Sequence, residues 1–279
     1  MRSSPTPEVP TPEAVWDPQQ YLRHADHRTR PFADLLARID GLPRADARIA
    51  DLGCGAGNVT ALLAERWPTA HITGYDNSPA MLERARREHG GDTAGGGRLD
   101  FAPADIATWA PDGPCDLIVS NAAFHWVDGH TDLFGRWTEA LVPGGVLAFQ
   151  VPGNFSAPSH TLLTELCRSA RWRETLGDLG GRDGAVREPR EYLSALVGLG
   201  CETDVWETTY LQLMPGEDPV LDWVKGTLLR PVLTRLGEGP HTDAFLTEYA
   251  TLLRTAYPPT PDGTVFPFRR LFAVARVAR

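Results

Sequence analysis

Arg48–Asn58 reads RIADLGCGAGN, and this stretch decides the reading of the chain. A short apolar run, Ile49–Leu52, carries Asp51 near its end and turns through Gly53, Gly55 and Gly57. It then enters an apolar segment, Val59–Arg66, with helical spacing. Three glycines at alternate positions leave backbone bare of Cβ, so a ligand can press against the turn. A strand, such a turn and a helix form the crevice in which open α/β sheets take up adenosine-containing ligands. The spacing is selective. A dinucleotide fingerprint, G-x-G-x-x-G, would need a small residue at position 58, which is Asn58. A phosphate loop would need a lysine after its last glycine, and none follows.

Working outward, Ala70–Tyr75 is the second strand and ends at Asp76, with Asn77 beside it. An acidic residue about twenty positions after the glycine turn accepts hydrogen bonds from the vicinal hydroxyls of a ribose. Ser78 caps the next helix, with Pro79 at its first position. Met81 and Leu82 fall on that helix's inner face, where Met81 packs either on the adenine ring or in the core. Gly90–Gly97 reads as a flexible connector and Arg98–Phe101 as the third strand. Asp105 then accepts from the adenine amino group with Ile106 against the ring, or it caps a turn. Cys115–Ser120 is a buried fourth strand ending at Asn121, which puts Ala122–Trp126 at the crevice mouth. His125 and Trp126 there either line an acceptor pocket or pack a loop. A helix over Leu133–Leu141, the turn Pro143-Gly144-Gly145 and a fifth strand, Val146–Val151, complete this half.

Composition narrows the function. A chain of 279 residues makes one large domain with room for an insertion. A formal charge of −9 argues against a nucleic-acid surface and requires any anionic substrate to meet a local cationic pocket. Cys54, Cys115, Cys167 and Cys201 are widely spaced, which suggests buried thiols rather than zinc or disulfides. With no bilayer-length apolar run and no signal-peptide h-region, the expectation is a cytoplasmic protein with no membrane partner. The sequence leaves monomer and homo-oligomer both open.

Met1–Glu13, with Pro5, Pro7, Pro10 and Pro12, reads as a disordered tail, and residues 14–279 as the folded domain. Residues 14–40 form an expected N-terminal flap that carries Tyr21, His24, Arg28 and Arg30, with a helix over Phe32–Ile39 after Pro31. Beyond Pro152 helices are expected at Ser159–Ala170, Pro189–Leu199, Pro219–Leu229 and Ala244–Ala256, with a loop at Leu176–Gly184. Glu202–Leu211 and Val265–Val277 read as the last two strands, Pro267 marking a sheet edge. The roughly fifty residues between those strands are too many for a hairpin loop. They form an expected helical cap, about 212–262, over the crevice.

The pattern D-x-G-x-G-x-G at 51–57 resembles motif I of the class I S-adenosylmethionine (SAM)-dependent methyltransferases, and the P-G-G turn is a second shared feature. Longer runs are more specific. WDPQQYLRHADHRTRP at 16–31, DLGCGAGN at 51–58, ITGYDNSPAML at 72–82, MPGEDPVLDWVKGTLLRP at 214–231 and FRRLFAVARV at 268–277 resemble the trans-aconitate 2-methyltransferases. The likeness runs from about Trp16 to the C-terminus, and the cap segment around Asp222-Trp223 and Leu229-Arg230-Pro231 discriminates most. Departures are Ala56, where the family commonly has Pro, and the longer loop at 90–97.

The resemblance implies a Rossmann-like α/β fold: a mostly parallel seven-stranded sheet with helices on both faces and a helical cap insertion. It implies SAM as cofactor, held by Asp51, Gly53, Gly55, Gly57, Asn58, Asp76, Asn77, Met81, Asp105, Ile106 and Asn121. It also implies a small polycarboxylate substrate and methyl transfer to one carboxylate of trans-aconitate. A carboxylate of pKa ~4 is already ionised at neutral pH, so no general base is required. The absence of a Ser-His-Asp or Cys-His signature and of a metal cluster agrees with that. Candidates for the acceptor are Tyr21, His24, Arg28, Arg30, His125, Trp126, Arg230 and Arg270, with Arg269 as the alternative to its neighbour. Enzymes that methylate exocyclic amines of bases resemble one another in [DNS]-P-P-[YFW]; Asn121-Ala122-Ala123-Phe124 lacks both prolines, which disfavours that chemistry. Three other readings remain: a carboxyl methyltransferase acting on an acyl-carrier thioester, a natural-product O- or C-methyltransferase, and a non-catalytic SAM-binding protein.

Overall fold

The apolar run at 48–52 forms the strand β1 (Arg48–Leu52), and the chain then winds outward and back around it. The computed structural model describes residues 25–177, 179 and 184–278. In order follow α1 (Ala25–Ala37) before β1, then α2 (Thr60–Arg66), β2 (His71–Asp76), α3 (Pro79–His89), β3 (Gly91–Asp92) and β4 (Arg98–Pro103). The chain continues through β5 (Cys115–Asn121), α4 (Phe134–Glu139), β6 (Leu141–Pro152), α5 (Pro158–Arg168), α6 (Arg173–Leu176), α7 (Pro189–Gly198) and β7 (Glu202–Met214). It ends with α8 (Pro219–Lys225), α9 (Arg230–Leu236), α10 (Pro240–Ala256), β8 (Pro259–Thr260) and β9 (Gly263–Arg276).

The strands lie in the order β3-β4-β2-β1-β5-β6-β9-β7, with β8 paired to β9. β4, β2, β1, β5 and β6 are parallel, and β9 enters antiparallel between β6 and β7. The strand order reverses between β1 and β5, which is the switch point where an open α/β sheet holds its ligand.

Seven long strands carry the sheet, and two two-residue ribbons bring the total to nine. The first ribbon corrects the reading of 90–97 as a plain connector. Gly91 and Gly96, at φ 135° and 87°, turn the chain back so that β3 pairs with β4.

Other differences are local. α1 begins at Ala25, well before Pro31, so the proline lies inside the helix, and Phe32, Leu35 and Leu36 after it form the buried stripe. β9 is not an edge strand. Pro267 is tolerated since β6 ends opposite Arg270, leaving one side of β9 unpaired above that point.

Apolar side chains form three clusters. One lies under α1, α2 and α3, and one packs on the opposite face around Phe124, Phe134, Trp137, Phe149 and Tyr192. The third joins α5, α6, α8, α9 and α10 to Phe266 and Phe268 of β9. This last cluster is the hydrophobic centre of the expected cap. Residues 1–24, and with them the expected tail and the first part of the expected flap, lie outside the described residues. The four cysteines are buried and none is in a disulfide. No helix of the described residues is long and apolar enough to cross a membrane.

Candidate active site

The turn after β1 is pinned by its neighbour: Gly53 and Cys54 N–H both donate to the Tyr75 carbonyl, at 2.8 and 3.0 Å. All three glycines adopt positive φ, 77°, 55° and 81°, yet each is small for its own reason. A Cβ on Gly53 would collide with that of Ala123, and one on Gly57 would press to 2.8 Å of the Phe101 ring. Only at Gly55 would a Cβ meet nothing, because that position opens into the crevice.

The crevice encloses a cavity of about 270 Å³ at the ends of β1, β2, β4 and β5. Of the residues the sequence reading named, Gly53, Gly55, Asp76, Asn77, Met81, Asp105, Ile106 and Trp126 line it. Ser78, Ala104, Ala122, Ala123 and Val127 complete the wall.

Asp76 is the organising carboxylate. Its Oδ2 accepts from Gly55 N–H at 2.9 Å and its Oδ1 from Ser78 N–H at 2.8 Å. Two of its roughly four lone-pair sites therefore remain to receive a diol. Burial holds its pKa above the usual carboxylate range, against the pull of those backbone donors. Asp105 is exposed and takes the Ala107 N–H on Oδ1 at 2.9 Å, the turn-capping role, with its second oxygen left at the rim. A bare-backbone cradle at Gly55, acceptors at Asp76 and Asp105 and apolar faces at Met81 and Ile106 fit a ribose and an adenine.

Asp51, Gly57, Asn58, Asn121 and His125 lie outside this lining. Asp51 is fully buried beneath the turn, where Oδ2 accepts from the Thr60 hydroxyl at 2.7 Å and Oδ1 meets no donor. Burial first, and Asp76 second, push its pKa up to about 7 against the Thr60 hydrogen bond. Gly57 has its bare side filled by Phe101, and Asn58 is exposed.

The wall after β5 is held from below. His130 Nδ1–H donates to the Val127 carbonyl at 3.2 Å, so its Nε2 accepts from the Tyr192 hydroxyl at 2.8 Å. Burial lowers the His130 pKa, which keeps that neutral tautomer. Above, His125 is buried and its ring neighbours Trp126 and Phe155, with centroids 4.8 and 6.3 Å away. Ala122, at φ 55°, is the only non-glycine with positive φ among the described residues. The chain bends there directly after Asn121.

No cation lines the cavity among its described lining residues. Arg30 is exposed, with its guanidinium 5.1 Å from the Tyr210 ring centre, and Tyr210 donates to Asp34 at 2.6 Å. Arg230 is half-buried at the start of α9. Of the neighbouring pair on β9, Arg269 holds Glu188 and Glu207 at 2.8 and 2.5 Å, and the Glu188 hydrogen bond chiefly raises its pKa. Arg270 is instead 4% exposed and reaches Gln150. Tyr21 and His24 lie outside the described residues, as does the side chain of Arg28.

Sequence reasoning missed Gln150. Its signal is visible afterwards: it is the one polar residue in the run VLAFQV of β6. Among the described residues no group of three or more His, Cys, Asp or Glu is placed to hold a metal.

A family model described as a methyltransferase domain matches residues 49–145. The trans-aconitate 2-methyltransferase of Streptomyces avermitilis is 65% identical over 267 residues, covering 96% of this chain and 98% of that protein. That of Streptomyces coelicolor is 63% identical over 269 residues, covering 96% and 88%. The Mycobacterium tuberculosis protein of the same name is 46% identical over 265 residues, covering 94% and 97%. Among solved structures, Haemonchus contortus phosphoethanolamine N-methyltransferase 2 in complex with S-adenosyl-L-methionine aligns with a TM-score of 0.52 at 18% identity, covering 90% of this chain and 53% of that one. The Escherichia coli protein YjhP aligns with a TM-score of 0.53 at 18% identity, covering 94% and 100%. At such identities these structures speak for the fold.

Proposed function

The chain belongs to the trans-aconitate 2-methyltransferase family, and from that premise we propose that it transfers a methyl group from SAM to one carboxylate of trans-aconitate. The observation that carries the proposal is the reach of the likeness. It covers 96% of the chain, so it takes in the cap as well as the crevice shared by methyltransferases of many specificities.

SAM bound in the crevice supplies an electrophilic methyl on a sulfonium, which an ionised carboxylate oxygen accepts to give a methyl ester and S-adenosylhomocysteine. The chain's own task is then to hold two ligands in register. Asp76 receives the ribose hydroxyls, Met81 and Ile106 pack the adenine, and the backbone at Gly53 and Gly55 allows close approach. Asp51 acts from beneath, by bonding Thr60 at the start of α2 and so fixing the turn against the helix. Trp126 and Val127 close one side against water.

Because the carboxylate arrives ionised, no side chain has to remove a proton. Alignment alone can contribute on the order of 7–11 kcal/mol at best. The acceptor's negative charge calls for cations beyond the cavity, in a protein whose net charge is −9. Arg30, Arg230 and Arg270 are the described candidates, while Arg269 is engaged by two glutamates.

The test is release of S-adenosylhomocysteine from SAM with trans-aconitate, cis-aconitate, isocitrate, citrate and a malonyl thioester. Selective turnover of trans-aconitate is expected. Silence on every acid while SAM still binds would sink the acceptor assignment and leave the cofactor assignment standing.

A further inference from the structure

Three polar side chains cross the buried sheet at its crevice end: Asn121 on β5, Gln150 on β6 and Arg270 on β9. They are 7%, 1% and 4% exposed. Asn121 pairs in register with Gln150, and Arg270 lies two residues along β9 from Gln150's own partner, Phe272, so all three share one face. Arg270 Nη1 donates to Gln150 Oε1 at 3.3 Å, and Gln150 Nε2 donates to Asn121 Oδ1 at 2.5 Å.

The polarity of this row has a single solution. A guanidinium carries donors only, so the Gln150 oxygen must face it. The Gln150 amide nitrogen must then face Asn121, which can meet it only with its oxygen. The Asn121 Nδ2 group is thereby turned the other way. It sits at the last residue of β5, directly before Ala122 and Ala123 of the cavity wall. An asparagine by itself presents either end of its amide; here a charge from the last strand selects one.

Two further contacts hold the row still. The Arg270 guanidinium lies 4.4 Å from the centre of the Phe268 ring. The Gln150 carbonyl accepts the Ala122 N–H at 2.9 Å, which fixes the left-handed bend after Asn121.

We propose that Arg270 is a positioning residue that acts through Gln150 to present Asn121 Nδ2 as a fixed hydrogen-bond donor to a carboxylate of the acceptor. The inference rests on the methyl-transfer reading above and deepens it. An ionised carboxylate only accepts hydrogen bonds, so a donor locked in place favours it. The SAM amino-acid carboxylate shares that chemistry, and the experiment has to separate the two.

The full-length protein and three variants, Asn121→Asp, Arg270→Met and Arg270→Lys, would be compared for kcat, the trans-aconitate KM and the equilibrium Kd for SAM. Asn121→Asp is nearly isosteric and keeps the bond from Gln150, but it replaces the donor with an anion. It should raise the acceptor KM about tenfold or more while leaving the SAM Kd within about twofold. Arg270→Met frees Gln150 to flip and should raise the same KM about tenfold. Arg270→Lys still offers a donor to Gln150 and should stay within about threefold of the parent; a direct bidentate grip on substrate would be lost in both Arg270 variants.

An Asn121→Asp enzyme with an unchanged acceptor KM would overturn the relay. So would a Lys variant as poor as the Met variant, or a loss that falls on the SAM Kd. Should Arg270→Met fail to fold, Asn121→Asp decides. A parent enzyme silent on every acid would take down the acceptor reading and the relay together, whereas a parent active on trans-aconitate with insensitive variants takes down the relay alone.

Discussion

The glycine turn and the surroundings of β9 are built over different sequence distances. On the cofactor side the decisive bonds are short-range: Asp76 meets Ser78 two residues away, Thr60 meets Asp51 across nine, and Gly55 meets Asp76 across twenty-one. Around β9 Gln150 meets Arg270 across 120 residues, Asn154 meets Arg269 across 115, and Asp34 meets Tyr210 across 176. One βαβ unit assembles the first side. The second exists only once β9 has entered between β6 and β7. Changes in the turn should therefore act on SAM, and changes in the buried Asn121-Gln150-Arg270 row on the acceptor.

The strongest way to break that division is Gly53→Ala. Its φ of 77° disfavours any side chain, and the new Cβ would drive into Ala123, moving both walls of the crevice at once. SAM affinity should fall by about a hundredfold or more. Gly55→Ala, with open space before it, should weaken SAM by only about tenfold. Calorimetric SAM titration measures both, and equal losses would mean that the turn does not work as described.

Next in size is an opposition in pH dependence, of a few kcal/mol at most. Asp51 is raised from 3.8 to about 7. The folded state thus holds its proton more tightly than the unfolded chain, and this stability, full below pH 4, is lost as pH rises towards 7. His160, near the start of α5, is lowered by burial from 6.5 to about 4. Its stability is full above pH 6.5 and is lost as pH falls through 4. In urea unfolding of the unliganded protein, Asp51→Asn should reduce the first slope, to which Asp76 also contributes, and His160→Phe the second, to which His130 contributes. Identical profiles for parent and both variants would show that neither group titrates as its surroundings dictate.

The smallest expected effect sharpens the comparison on its far side. Arg269→Met breaks ion pairs to Glu188 and Glu207, whose side chains are 65% and 49% exposed. It should cost about 1 kcal/mol or less and leave the acceptor KM where it was. A large rise in KM would move Arg269 into the acceptor site and reopen the choice between the two arginines.

Much of the cofactor side was legible because its cues are local. The glycine turn, the acid after β2 and the Ser78-Pro79 cap each name their neighbours within a few residues. The differing reasons for the three glycines were not legible, since Phe101 and Ala123 come from other strands. The helix start was misplaced at Pro31 because local propensity favours a proline at a first turn, whereas α1 begins at Ala25 and carries the proline inside. Gln150 stood out as a polar residue in an apolar strand, but nothing nearby in sequence says what it meets.

The amino-acid sequence by itself determined the βαβ order, the crevice, the acidic residues that line it and the family likeness. These follow from period, turn chemistry and spacing, which act over one or two elements. The tertiary structure alone decided which arginine of the 269–270 pair is buried and which way the Asn121 amide points. It also decided that Asp51 supports the turn from below. Each depends on strand register, where a step of one residue exchanges the two faces of β9, and that register is set only when distant strands pair.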